Sequence, residues 1–115
     1  MLTSNIYSPL FSDPEIADIF SDEEFVRRML EVEAALARAQ GRLGIIPIEA
    51  ADQITASIET IQVDMGRLAA ETQKSGIPTL DLIKQFREHH DGEAAEFFHW
   101  GATTQDILDT ALVLQ

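Results

Sequence analysis

The chain has 115 residues, with 20 acidic and 8 basic side chains, a net charge of −12 and no cysteine. That length carries one hydrophobic core, the lack of cysteine excludes a disulfide framework, a thiolate zinc site and a thiol nucleophile, and the negative field disfavours nucleic acid and anionic membrane surfaces. No apolar run approaches the roughly 20 residues of a membrane span, and the start, MLTSNIYSPLFSDPE, lacks the blocks of a secretory signal, so a soluble, cytoplasmic protein is expected.

Proline, glycine and N-cap residues divide the sequence into helical pieces, and no alternating apolar/polar run reads as a strand, so the expected class is all-α. After an irregular lead, Asp13 and Pro14 open a short helix through Phe20, with Pro14 where its missing N–H costs nothing. Ser21 starts the next helix, and Glu24, three residues on, has the spacing of a reciprocal capping box. Phe25, Met29, Val32, Leu36, Ala39 and Leu43 then recur at intervals of four and three, which predicts one apolar stripe facing the core until Gly44 ends the run.

Pro47 predicts a helix to about Ile58, Asp64 caps one that runs to Gly76, and Thr79 caps one that spans Leu80, Ile83 and Phe86 before the break at HHDG. A short turn follows from Glu93 to Phe98, HWGATT interrupts, and a last helix begins at Thr104 or Gln105 with Ile107, Leu108, Ala111, Leu112 and Leu114 apolar. That helix reaches LVLQ without a C-cap glycine or a basic last turn. The expectation is that the chain is part of a longer protein; the alternative is a helix that docks on its own domain and ends at the terminus.

The stretch HWGATTQDILDT, His99 to Thr110, contains no lysine or arginine. The first amides of a helix have no intrahelical acceptor and sit at the positive end of the helix dipole, a place that attracts carboxylates. Gly101 permits a close backbone approach or a positive φ, Thr103 and Thr104 add hydroxyl donors, and His99 adds a ring that can give a hydrogen bond or a proton. Capping alone accounts for the same residues, with Trp100 in the core, His99 partly buried, and Asp106 and Asp109 complementing the helix start or exposed.

These residues resemble the first signature region of the aspartase/fumarase superfamily. The Gly-Ala-Thr-Thr-x-Asp element and the aspartate–threonine–alanine run are shared with adenylosuccinate lyases, whereas the His-Trp-Gly lead, Gln105 and the ending Leu112 to Gln115 are similar to the 3-carboxy-cis,cis-muconate cycloisomerase branch. SDEEFVRRMLEVEAALARAQGRLGIIP is similar to the segment that the family places upstream. IPTLDLIKQFREHHDGEA departs from the Ile-Pro-Leu-Val type of run expected there, at a wall of the pocket.

The resemblance implies an N-terminal helical domain ending at the start of a long helix, within an enzyme whose active sites form at subunit interfaces of a homotetramer from signature regions of three chains. Only the first region is recognisable here; the second, with a histidine, and the third, with a flexible serine-bearing loop, are expected further along. The implied reaction is reversible lactonisation of a small polycarboxylate, 3-carboxy-cis,cis-muconate, in the breakdown of aromatic compounds, with no metal or organic cofactor. His99, Thr103 and Thr104 would bind substrate, Gly101 and Asp106 would order the loop, and no general base is assigned, so the chain alone is expected to have no turnover.

His89, His90 and Asp91 invite a metal reading, but adjacent helical side chains point about 100° apart, which favours a solvated helix C-terminus. Two other functions remain open: an adenylosuccinate lyase of the same superfamily, and a non-enzymatic acidic helical interaction module.

Overall fold

The computed structural model describes residues 4–115, which form helices and no strands. In chain order the helices are α1 (Ser8–Phe11), α2 (Pro14–Ile19), α3 (Asp22–Arg42), α4 (Ile48–Ile58), α5 (Met65–Ser75), α6 (Pro78–His89), α7 (Glu93–Phe97) and α8 (Thr104–Leu114). No helix among the described residues is long and apolar enough to cross a membrane.

Helix α3 is the spine, packed against α4 on one side and α8 on another, while α5 lies on α6, and α7 bridges α4 and α6. Phe86, Phe98, Met29, Ile54, Leu82 and Ile107 are the largest apolar side chains sealed at the centre, each worth about 1.5–3 kcal/mol on full burial. Local signals explain most boundaries. Asp13 accepts from the amides of Glu15 (2.9 Å) and Ile16 (3.3 Å), and Asp64 from that of Arg67 (2.9 Å). Gly44 turns left-handed after α3, where Ile45 N–H donates to the Gln40 carbonyl at 2.9 Å, the six-to-one bond of a Schellman stop.

The structure corrects or refines several expectations. The lead contains a one-turn helix, α1, helped by Pro9 in its first turn and closed by Ser12 Oγ donating to the Ser8 carbonyl. The box at Ser21 is only half made: Ser21 Oγ accepts from Glu24 N–H at 3.2 Å, but the Glu24 carboxylate turns outward to Arg27 (2.6 Å) and Arg28 (2.8 Å). The Arg27 guanidinium holds the Glu24 carboxyl below its ordinary range. Thr79 is not the cap of α6; it lies inside the helix behind Pro78, fully buried, and Ile77 is the N-cap. Of the final apolar set, Ile107 and Ala111 are buried and Leu108 packs against the core, while Leu112 and Leu114 remain exposed.

The buried face of α3 also differs from the expected one. It consists of Val26, Met29, Leu30, Glu33, Ala34, Ala37 and Gly41, rotated from the predicted stripe, and Leu43 is 75% exposed. Small residues set this choice, because they let α4 approach: a Cβ built on Gly41 would stand 2.6 Å from the Ala51 Cβ. Large side chains at that crossing would hold the helices apart, so Leu43 is left outside.

A polar clip joins α5 to α6. Gln85, buried, accepts from Asp64 N–H (2.8 Å) and donates to the Asp64 carbonyl (3.1 Å) and to Asp81 (2.8 Å), while Arg67 reaches Asp81 (3.0 Å) and Glu88 (2.5 Å). Arg67 depresses the Glu88 carboxyl below its usual range. The clip satisfies the polar atoms of Asp81 and Gln85 that burial would otherwise orphan.

The α3–α4 crossing makes a testable distinction between two glycines. Gly41→Ala should lower unfolding stability by about 1–3 kcal/mol through overpacking, whereas Gly66→Ala in α5, whose new Cβ would meet only Asp64 Oδ1 at 3.4 Å, should leave it unchanged or raise it by up to about 1 kcal/mol. Urea unfolding of the two variants measures the difference, and an undiminished Gly41→Ala protein would contradict the close crossing.

Candidate functional site

The loop between α7 and α8 begins with an anchor. Phe98 is buried and its ring lies 3.7 Å from that of Phe86, nearly parallel at 8°. Arg87 donates to the carbonyls of Ala95 (3.1 Å) and Phe98 (3.4 Å), closing the end of α7. After this fixed point the chain reverses through two left-handed residues, His99 at φ 62° and Gly101 at φ 68°. Glycine adopts that conformation freely; histidine does so only when its surroundings hold it there.

Two side chains from α3 hold it. Glu33, 1% exposed, meets His99 Nδ1 through Oε1 at 2.5 Å, and Gln40, two turns further along the same helix, donates from Nε2 to the Trp100 carbonyl at 2.7 Å. Gly101 fits beside this tether, since a Cβ there would lie 3.9 Å from Gln40 Nε2. Trp100 is 43% exposed and rests edge-on against Phe97 at 5.0 Å, so it caps the surface rather than filling the core.

Helix α8 then starts at Thr104 with Thr103 as N-cap. Asp106 Oδ2 accepts from the Thr103 amide at 2.9 Å, and the Asp106 amide donates to the Thr103 carbonyl at 3.1 Å. Thr103, Gln105 and Asp106 are exposed and Thr104 is half-buried. The residues singled out in the sequence, His99, Gly101, Thr103, Thr104 and Asp106, therefore follow one short ledge into the first turn of an 11-residue helix, with Gly101, Thr103 and Asp106 exposed, Thr104 half-buried and the His99 side chain 12% exposed. This ledge offers amides, hydroxyls and an imidazole, and the basic side chain beside it, Arg87, is committed to backbone carbonyls.

Sequence reasoning missed Glu33, Gln40 and Phe98. Nothing in the sequence marks Glu33 or Gln40; only their hydrogen bonds to His99 and Trp100 show that they serve a loop some sixty residues away. Phe98 was placed at the end of a short turn with no sign that it is the loop's foothold.

His89 and His90 stand apart from the ledge. His89 is exposed with Nδ1 2.7 Å from the Gln85 carbonyl, and His90 lies against the Phe86 ring at 4.4 Å, so the second of the pair is packed rather than solvated. Among the described residues no group of three or more histidine, cysteine or acidic side chains could hold a metal ion.

No family model matches the chain. Its relatives include a 3-carboxy-cis,cis-muconate cycloisomerase from Acinetobacter baylyi, 41% identical over 97% of this chain and 26% of that protein, and an adenylosuccinate lyase from Methanothermobacter thermautotrophicus, 40% identical over 88% of this chain and 22% of that protein. Among solved structures, a fumarate lyase from Mesorhizobium is 51% identical and superposes with a TM-score of 0.86 over 90% of this chain and 24% of that one. The all-helical fold with this loop is thus that of a lyase-type enzyme unit. The chain belongs to the fumarate lyase superfamily, also called aspartase/fumarase, among relatives that carry the cycloisomerase name. It spans about a quarter of the length of the curated relatives it matches.

Burial at the α6 end makes stability depend on pH. Desolvation, with a smaller contribution from His89, pushes the His90 imidazole below its ordinary value of 6.5. The unfolded chain then binds the proton first as pH falls, so this group's contribution is complete above about pH 6.5 and lost on acidification below it. The urea midpoint of the native protein should decline between about pH 7 and pH 5, and His90→Gln should flatten that part of the profile; an unchanged slope would contradict the packed, neutral ring.

Proposed function

We propose that this chain supplies the N-terminal helical portion of a 3-carboxy-cis,cis-muconate cycloisomerase-type enzyme, which lactonises a carboxylated muconate reversibly in the degradation of aromatic compounds. The observation that carries the reading is the ledge at the start of α8: uncharged donors beside a helix N-terminus, in a segment 41% identical to a cycloisomerase over nearly its whole length. A homotetramer in the cytoplasm, with active sites shared between subunits, belongs to the same proposal. Exposed Leu112 and Val113 on α8 fit a helix face that further chain or sister subunits cover.

In the proposed reaction one substrate carboxylate adds across a carbon–carbon double bond while the carbon next to another carboxylate gains a proton. In the reverse direction that proton leaves, and negative charge develops on the neighbouring carboxylate. Donors already aimed at that charge lower the barrier because they need no reorganisation. Thr103 and Thr104, with the first amides of α8, are those donors, and His99 orients the same group or supports proton transfer. The residues that move the proton belong to regions outside this chain, and the chemistry calls for no metal or organic cofactor.

The rival reading, an adenylosuccinate lyase, is favoured by the 40% identity to one such enzyme. The whole enzyme offered both substrates separates them: loss of diene absorbance with 3-carboxy-cis,cis-muconate and no turnover of adenylosuccinate is expected. Thr104→Val, which removes the hydroxyl at constant shape, should lower kcat/KM by about 10²-fold. Turnover confined to adenylosuccinate would replace the substrate, and full activity in Thr104→Val together with Thr103→Val would remove the ledge from the mechanism.

A further inference from the structure

Glu33 is the least expected residue on the buried face of α3. Its neighbours there are Leu30, Ala34 and Ala37, it is 1% exposed, and its Oε2 has no hydrogen-bond partner among the described residues. A carboxylate in such a place is costly unless something needs it. Its single polar contact reaches His99, 66 positions away, at the residue whose backbone is left-handed without being glycine.

We propose that Glu33 is a positioning residue that fixes the tautomer and orientation of His99, so that Nδ1 faces Glu33 and Nε2, once the ring is protonated, donates to a carboxylate ligand. A separation of 2.5 Å between Nδ1 and Oε1 requires a proton on the line between them, and with the carboxylate as acceptor that proton sits on Nδ1. The hydrogen bond made by one ring nitrogen determines what the other can do. In water a neutral histidine prefers its proton on Nε2; the buried carboxylate reverses that preference. The outward nitrogen is then a bare acceptor in the neutral ring, and in the protonated ring it is a donor whose positive charge is balanced by Glu33 behind it.

The ring and the backbone are held by different residues. Gln40 carries the Trp100 carbonyl and the Phe86–Phe98 stack carries the loop's entrance, so removal of Glu33 releases the imidazole before it releases the loop. This separability is what distinguishes a positioning residue from a purely structural one. That the offered nitrogen meets a substrate carboxylate rests on the function proposed above; the assignment of the tautomer does not.

The test is long-range proton–nitrogen correlation NMR of the uniformly nitrogen-15-labelled chain, at a pH where His99 is neutral. The native protein should show Nδ1 as the protonated nitrogen and Nε2 as the bare one. In Glu33→Leu the ring should revert to Nε2–H. In Glu33→Gln, a near isostere that keeps the fold if the leucine variant loses it, the weaker amide acceptor should move the Nε2 resonance toward the protonated position. Gln40→Leu should shift the amides of Trp100 and Gly101 and leave the ring nitrogens as they were. A native ring protonated on Nε2, or a Glu33→Gln ring indistinguishable from the native one, would overturn the assignment. If the ring behaves as expected and the whole enzyme does not turn over 3-carboxy-cis,cis-muconate, the substrate reading fails and the role of Glu33 stands.

Discussion

A buried carboxylate on α3 and a left-handed histidine in the α7–α8 loop hold each other in place, and the rest of the candidate site depends on that pairing. Each would be costly alone. An isolated carboxylate in an apolar interior carries a large desolvation penalty, and a histidine at positive φ stores strain of order 1–3 kcal/mol. The core absorbs both costs: the Phe86–Phe98 stack fixes where the loop leaves α7, and the small residues of α3 let α4 close over the same helix. The long spine helix is therefore both the centre of packing and the arm that reaches the candidate loop.

The electrostatic logic follows from the charge of the chain. With a net charge of −12, the protein offers an organic anion a repulsive field, and a lysine or arginine at the ledge would be the direct remedy. In the proposed site another device takes that place. Backbone amides at the head of α8, two hydroxyls and an imidazole are all neutral or conditionally charged donors, and they act over hydrogen-bond distance where the long-range field matters less. Asp106 has the opposite sign from what an anion site wants, yet its carboxylate is engaged by the Thr103 amide and so sets the shape of the turn.

Much of the fold was legible because helix ends are local events. Asp13, Asp64, Gly44 and Gly76 act within a few residues of themselves, and the structure uses each as a cap or stop. The face of α3 was read wrongly for the opposite reason. The periodic run from Phe25 to Leu43 suggests one stripe, but close helix contact favours the small side chains, and Leu43 is exposed. The loop could be found from His99 to Asp106 through its resemblance to a signature region. Its supports could not: Glu33 and Gln40 differ from ordinary solvated residues only by contacts across some sixty positions of sequence.

A crystal structure of the whole enzyme with the proposed lactone product bound addresses the central claim directly, because it shows what the ledge holds. The account predicts a carboxylate of the product at the head of α8, within hydrogen-bond distance of Thr104 and of His99 Nε2, with Nδ1 still on Glu33. A product seated elsewhere while the loop keeps its present conformation would contradict it.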